Sequence, residues 1–105
     1  MWTYQAFIAR VVDGDTVDVI ADLGFGVSHK VRLRLARIDT PEMNTPEGKL
    51  AKAHVECLLP RGAICHVVTA KGDRYGRWIA ELFVGTDNIN NKLLESGVAK
   101  IYQGS

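Results

Sequence analysis

The chain has 105 residues, 47% of them hydrophobic and 24% charged, with a formal net charge of +1. That length suits a single domain spanning residues 1–105 with one core and is too short for two. The near-neutral balance gives no compositional argument for a polyanion-binding surface, and no apolar run approaches the length that crosses a bilayer. Gln5 to Val12, rich in Phe, Ile and Val, predicts a first strand. Asp13-Gly14-Asp15 predicts a turn in which Gly14 takes positive φ. Thr16 to Ile20 predicts a second strand, with Val17 and Val19 on one face. Gly24-Phe25-Gly26 is a loop, and Val27 to Ile38 predicts a long third strand. Along it Val31, Leu33 and Leu35 alternate with Lys30, Arg32 and Arg34.

Thr40-Pro41 stops that strand. Thr45-Pro46-Glu47 carries the signals of a helix start: an N-cap hydroxyl, proline at the first helical position and an acid near the positive end. The helix runs to about Leu59, because Leu50, Ala51, His54, Val55 and Leu58 recur at three- and four-residue steps. Pro60-Arg61-Gly62 breaks it, Ala63 to Ala70 and Trp78 to Val84 predict two more strands, and Asp87 or Asn88 caps a short helix over Ile89 to Ser96. Gly97 ends that helix in the left-handed region, and Val98 to Tyr102 is a last extended piece. Five strands with a helix between the third and fourth and a second helix near the C-terminus make a mainly β, α+β chain in the order of an OB-fold barrel, an order that other α+β folds share.

The chemistry concentrates in three places. Asp13-Gly14-Asp15-Thr16 and Asp39-Thr40-Pro41-Glu42 are acidic, the strand between them is dense in arginine, and Asp73-Arg74-Tyr75-Gly76-Arg77 follows downstream. Carboxylates suit a hard divalent cation, and guanidinium forks suit a phosphodiester. Arg34 and Asp39 are an odd number of positions apart and would face opposite ways in a regular strand, so they share a site only if the chain bends or bulges at Ala36-Arg37-Ile38. Taken singly, each acidic motif reads as a turn or a strand exit. Arg32 and Arg37 read as solvated or ion-paired surface residues, Arg74 equally as a surface charge or a phosphate contact, and Trp2 and Trp78 as core or rim aromatics. His29, His54 and His66 have no ligand spacing. Cys57 and Cys65 read as small buried hydrophobes rather than a disulfide.

Together and in this order, the three motifs resemble the staphylococcal nuclease (thermonuclease) family from about Phe7 to Ile101, with Asn90 and Gly97-Val98-Ala99-Lys100 included. The resemblance implies an OB-fold barrel and calcium-dependent hydrolysis of phosphodiester bonds in DNA and RNA, single-stranded or locally open, by a monomer that needs no membrane. It implies Asp15, Asp39 and the Thr40 carbonyl as metal ligands, and Arg34 and Arg77 as the arginines on the scissile phosphate. It also implies Glu42 as the acid that orients or deprotonates the attacking water, and Tyr75 as a nucleotide contact, with Arg74 beside it. The loop before the helix and the span before Asp73 are short for that family, and Tyr102 is out of register with its nucleotide-stacking tyrosines. Two other functions fit an OB barrel: a non-catalytic binding module, which would lack several of Asp15, Arg34, Asp39, Glu42 and Arg77, and a calcium-stabilised structural domain, which would not need the paired arginines. Met1-Trp2-Thr3-Tyr4 has no basic region followed by an apolar run, so the expectation is a cytoplasmic chain if it is complete and a secreted one if a leader was removed.

Overall fold

Alternation of apolar and polar residues builds most of the molecule as sheet. The computed structural model describes residues 1–102, so the last three positions of the expected 1–105 domain lie outside the described residues. β1 (Trp2–Asp13), β2 (Thr16–Gly24) and β3 (Val27–Leu35) form an antiparallel meander. A short β4 (Ile38–Asp39) follows, then α1 (Pro46–Leu58), β5 (Ile64–Gly72), β6 (Trp78–Val84), β7 (Asp87–Asn88), α2 (Ile89–Glu95) and β8 (Lys100–Ile101). The long strands are ordered β3-β2-β1-β5-β6, and a parallel pairing of β3 with β6 at Leu33↔Trp78, Arg34↔Ile79 and Leu35↔Ala80 closes them into a barrel. This is a five-stranded OB-fold barrel with two helices. A bulge at Ala9 in β1 and another at Ala70 in β5 add the local twist that closure needs.

The inward residues fill the barrel. Val17, Val19, Leu33, Leu35 and Leu82 are fully or almost fully buried, and the helices close onto them with Val55, Leu59, Ile89 and Leu93. Their outward neighbours Lys30 and Arg32 are exposed and Arg34 is half-buried, as the period of two requires. Only part of the expected apolar stripe of α1 is used. Ala51 and Val55 are buried, whereas Leu50 is 71% exposed and His54 also faces solvent. Of the cysteines, both free, Cys65 lies inside the barrel, where burial pushes its thiol up to about 11. Cys57 is exposed on α1, contrary to the expectation of a buried pair.

The third strand is shorter than its sequence pattern. It ends at Leu35, and Ala36 and Arg37 form a turn with Arg37 in the left-handed region at φ 69°. Three contacts hold that turn: the Ala36 amide donates to the Ala80 carbonyl at 2.8 Å, the Tyr102 amide donates to the Arg37 carbonyl at 2.9 Å, and Arg37 forks onto Glu81 at 2.7 and 2.8 Å. Beneath it lies Asn90, completely buried on α2. Its Nδ2 donates to the carbonyls of Ala36 and Ala80, both at 3.0 Å, and its Oδ1 accepts from the Leu82 amide at 3.1 Å.

α1 starts where the capping signals put it. Thr45 Oγ1 accepts from the Gly48 amide at 3.0 Å and Pro46 occupies the first helical position. The preceding loop packs so tightly onto this first turn that a Cβ on Gly48 would fall on the Glu42 carbonyl oxygen.

Two stability predictions follow from these contacts. Asn90→Ala leaves the Leu82 amide and the Ala36 carbonyl without their partners, at about 1–3 kcal/mol for each buried group; a denaturant titration should show it, and a loss below that of a surface substitution would refute the pinning role. Gly48→Ala improves helix propensity by about 1 kcal/mol but forces the Glu42 backbone to move at about 1–3 kcal/mol, so the melting temperature should fall. An unchanged or raised melting temperature would mean that the loop yields freely.

Candidate active site

The Ala36-Arg37 turn solves the parity problem. It reverses the facing of the chain between Arg34 and Asp39, so that Arg34 Nη2 lies 3.6 Å from Asp15 Oδ2 and 3.7 Å from Asp39 Oδ1. The bend expected at Ala36-Arg37-Ile38 is therefore present, and it brings carboxylates from the β1–β2 turn and from β4 to one guanidinium on β3. At those separations the contacts are ionic rather than hydrogen-bonded. Arg34 spends one donor on the Leu35 carbonyl at 2.8 Å and keeps the others free among the described residues. Its side chain is 14% exposed, Asp15's 13% and Asp39's 61%, so the cluster is open on one side.

Local backbone geometry places Asp15. Asp13 Oδ1 accepts from the Asp15 amide at 3.0 Å, which shapes the turn. Burial and the Asp15 side chain push the Asp13 carboxyl above its usual range. Asp15 Oδ2 accepts from the Thr40 amide at 3.3 Å and Oδ1 from Thr16 Oγ1 at 3.2 Å. Gly14 serves a different purpose from the one expected. Its φ is not positive, but a Cβ there would stand 2.7 Å from Thr40 Oγ1, so glycine is needed for the close approach of the two acidic segments.

The second arginine comes from the β5–β6 hairpin. Asp73 Oδ1 accepts from the amides of Tyr75 and Arg77 at 2.9 and 3.0 Å, while Oδ2 accepts from Arg77 Nε at 2.7 Å. Burial alone would raise the Asp73 carboxyl, but these donors outweigh it and the net direction is down. Gly76, at φ 81°, completes the turn. Asp73 holds Arg77 by its Nε and leaves the terminal nitrogens unengaged among the described residues. The ring of Tyr75, which is 70% exposed, has the guanidinium carbons of Arg74 and Arg77 over it, 5.4 and 5.5 Å from its centroid.

A cleft of about 310 Å³ is lined by Arg34, Arg74, Tyr75, Arg77, Ile79 and Tyr102, among others. It joins the two expected arginines, and it also holds Tyr102, whose ring centroid is 5.3 Å from the Arg34 guanidinium carbon. The sequence reading has Tyr102 out of register and no role for Asp73, although an Asp that opens a Gly-containing turn was a usable signal for backbone capping. Glu42 is not drawn in. It is exposed, its side chain has no hydrogen bond or ion pair among the described residues, and it does not line the cleft. Arg32 and Arg37 are ion-paired, with Asp18 and Glu81 respectively, as expected for surface arginines.

Asp15 and Asp39 each bring a carboxylate oxygen within 4 Å of Arg34 Nη2, Asp15 also accepts from the Thr40 amide, and an oxygen-only donor set of this kind suits calcium. Among the described residues no three His, Cys, Asp or Glu side chains cluster, so the side-chain donors amount to this pair.

Comparison with known proteins bears on the family of this barrel. The family model described as staphylococcal nuclease homologue matches residues 32–105. An uncharacterized endonuclease of Escherichia coli O157:H7 is 30% identical over 97 residues, covering 91% of this chain and 60% of its own. A thermonuclease of Staphylococcus hyicus is 33% identical over 105 residues, covering 93% of this chain and 58% of its own. A micrococcal nuclease of Shigella flexneri is 28% identical over 109 residues, covering 95% and 59%. The chain thus spans about 60% of the length of these relatives. By the family match, by these relatives and by its barrel, the chain belongs to the staphylococcal nuclease-like family.

Proposed function

We propose that this chain is a single nuclease domain that hydrolyses phosphodiester bonds of DNA and RNA, acting as a monomer on single-stranded or locally open substrate. The observation that carries the reading is the convergence of Asp15 and Asp39 on Arg34 at the edge of a cleft that also contains Arg77 and Tyr75. A phosphodiester needs charge neutralised on its oxygens, and two guanidinium groups with unused donors can meet those oxygens in parallel pairs. A structural calcium site would have no use for them.

In this reading Asp15, Asp39 and the Thr40 carbonyl hold calcium. Bound there, the cation supplies Lewis-acid polarisation of a phosphoryl oxygen. Arg34 and Arg77 bind the scissile phosphate and stabilise the charge that grows on its equatorial oxygens. Asp73 fixes the orientation of Arg77, and Tyr75 with Arg74 contacts the nucleotide. Glu42, two residues beyond Thr40 and without a competing partner among the described residues, is free to swing toward the water and accept its proton.

The test is cleavage of a labelled single-stranded oligonucleotide, with calcium and with chelator. Calcium should support turnover and chelation should abolish it. Arg77→Lys and Arg34→Lys keep the charge but lose the planar fork, and each should lower the rate roughly a hundredfold or more. Arg32→Lys, whose guanidinium is already spent on both oxygens of Asp18, should leave the rate unchanged. Glu42→Gln should cost about two orders of magnitude while oligonucleotide binding survives. Equal, mild effects of all three arginine substitutions would remove the arginines from the transition state, and a wild-type rate for Glu42→Gln would remove Glu42 from proton transfer.

A further inference from the structure

Arg32, Arg37, Arg77 and Lys92 each have a carboxylate partner, in Asp18, Glu81, Asp73 and Asp87. Several other cations, Lys49 and Lys52 among them, have none among the described residues, but Arg10, Lys30 and Arg61 stand apart because they gather in one place. All three are exposed, none of their side chains makes a hydrogen bond or ion pair among the described residues, and all three line one groove of about 320 Å³ between β1, β3 and the C-terminal end of α1. Its floor is apolar, with Ile8, Val11 and Leu59 buried beneath, and Glu56 is the single acid on its wall.

The nearest buried charge does not neutralise this groove. Asp18 stands in register with Arg10 on one side and Arg32 on the other. Arg32 takes both of its oxygens, at 2.8 and 3.1 Å. Hydrogen bonds from Arg32 come first among the causes that hold the Asp18 carboxyl below its usual range, and the fields of Lys30 and Arg10 add to them. Those two cations are therefore close to Asp18 yet left without a partner of their own.

The groove and the candidate active site are separate hollows that meet the same strand, β3. Lys30, Arg32 and Arg34 occupy alternate positions on the outer face of β3, so the groove begins about 14 Å along the strand from Arg34. An extended nucleic-acid strand covers that distance in a few nucleotides. We propose that the groove is a phosphate-binding exosite, in which Arg10, Lys30 and Arg61 hold the backbone of a single-stranded nucleic acid whose reacting phosphodiester lies at Arg34. The inference rests on the nuclease reading for the identity of the strand. Its concave shape favours a strand over a bilayer, which needs a flat or protruding surface. The contacts are to phosphate, so they add affinity for length and none for sequence.

The experiment measures binding without turnover. Fluorescence anisotropy of a labelled oligothymidylate and of a labelled trinucleotide is recorded in chelator across a salt series. The combined variant Arg10→Gln, Lys30→Gln, Arg61→Gln should bind the long strand roughly tenfold or more weakly at low salt. The slope of log affinity against log salt should shrink by about 2, since each single-strand phosphate contact contributes about 0.7. Trinucleotide binding should change far less, because a trinucleotide seated at Arg34 has only one further phosphodiester, which stops short of the groove. A control with the same change of net charge, Lys49→Gln, Lys52→Gln, Lys92→Gln, should keep affinity and slope. Glu56→Gln should strengthen long-strand binding, a gain that misfolding cannot imitate, and circular dichroism of each variant checks the fold.

A long-strand slope that the groove variant leaves intact, a loss no larger than the control's, or an equal loss for the trinucleotide would overturn the exosite. So would a wild-type protein that ignores the oligothymidylate but binds phosphatidylserine vesicles through these three residues. The two readings fail separately. Groove-dependent binding with no cleavage in calcium sinks the nuclease and leaves the exosite standing, whereas cleavage with an unaltered salt slope sinks only the exosite.

Discussion

Everything at the candidate site depends on the chain leaving the sheet after Leu35. A strand that continued through Ile38 would point Arg34 and Asp39 to opposite faces. Arg37 at positive φ breaks the alternation, and such a conformation persists in a non-glycine residue only when its surroundings hold it. Here they do so from three directions. Asn90 grips the Ala36 carbonyl from below, Ala80 accepts the Ala36 amide from β6, and the carbonyl of Arg37 takes the amide of Tyr102. The same turn therefore sets the carboxylate at Asp39, ties the C-terminal segment to the cleft and brings the Tyr102 ring to Arg34.

The arginines illustrate how identical side chains acquire different duties from their partners. Arg32 and Arg37 are forked onto Asp18 and Glu81, so both planar faces of donor capacity are largely spent on the fold. Arg77 meets its carboxylate with Nε only, which orients the group and leaves its far end exposed to the cleft. Arg34 meets two carboxylates beyond hydrogen-bond distance, and so is attracted without being satisfied. A guanidinium in that condition has donors to offer a phosphate at little reorganisation cost.

Tight backbone approaches do comparable work. Gly14 admits Thr40 to the β1–β2 turn, and Gly48 admits the Glu42 carbonyl to the first turn of α1. At Gly14 the two acidic segments press on each other, and at Gly48 the second of them presses on the first turn of α1. Neither role concerns left-handed backbone; each is a matter of the missing Cβ.

The sequence by itself determined the barrel strands, both helices and their caps, because period-two alternation, Thr45-Pro46 and Asn88 are local signals that local physics obeys. It also determined which residue types were available for chemistry, and the order of three motifs made the family legible. The tertiary structure decided which of them meet. Arg34, Asp15 and Asp39 converge through a turn whose left-handed residue is an arginine, and nothing in the local sequence announces that conformation. The service of Asp73 to Arg77, the stacking of Tyr102 on Arg34 and the exposure of Cys57 depend on how elements pack. The grouping of Arg10, Lys30 and Arg61 depends on strand register, which joins residues far apart in the chain. Local periodicity specifies which face a residue takes, whereas the partner across that face is set by closure of the barrel.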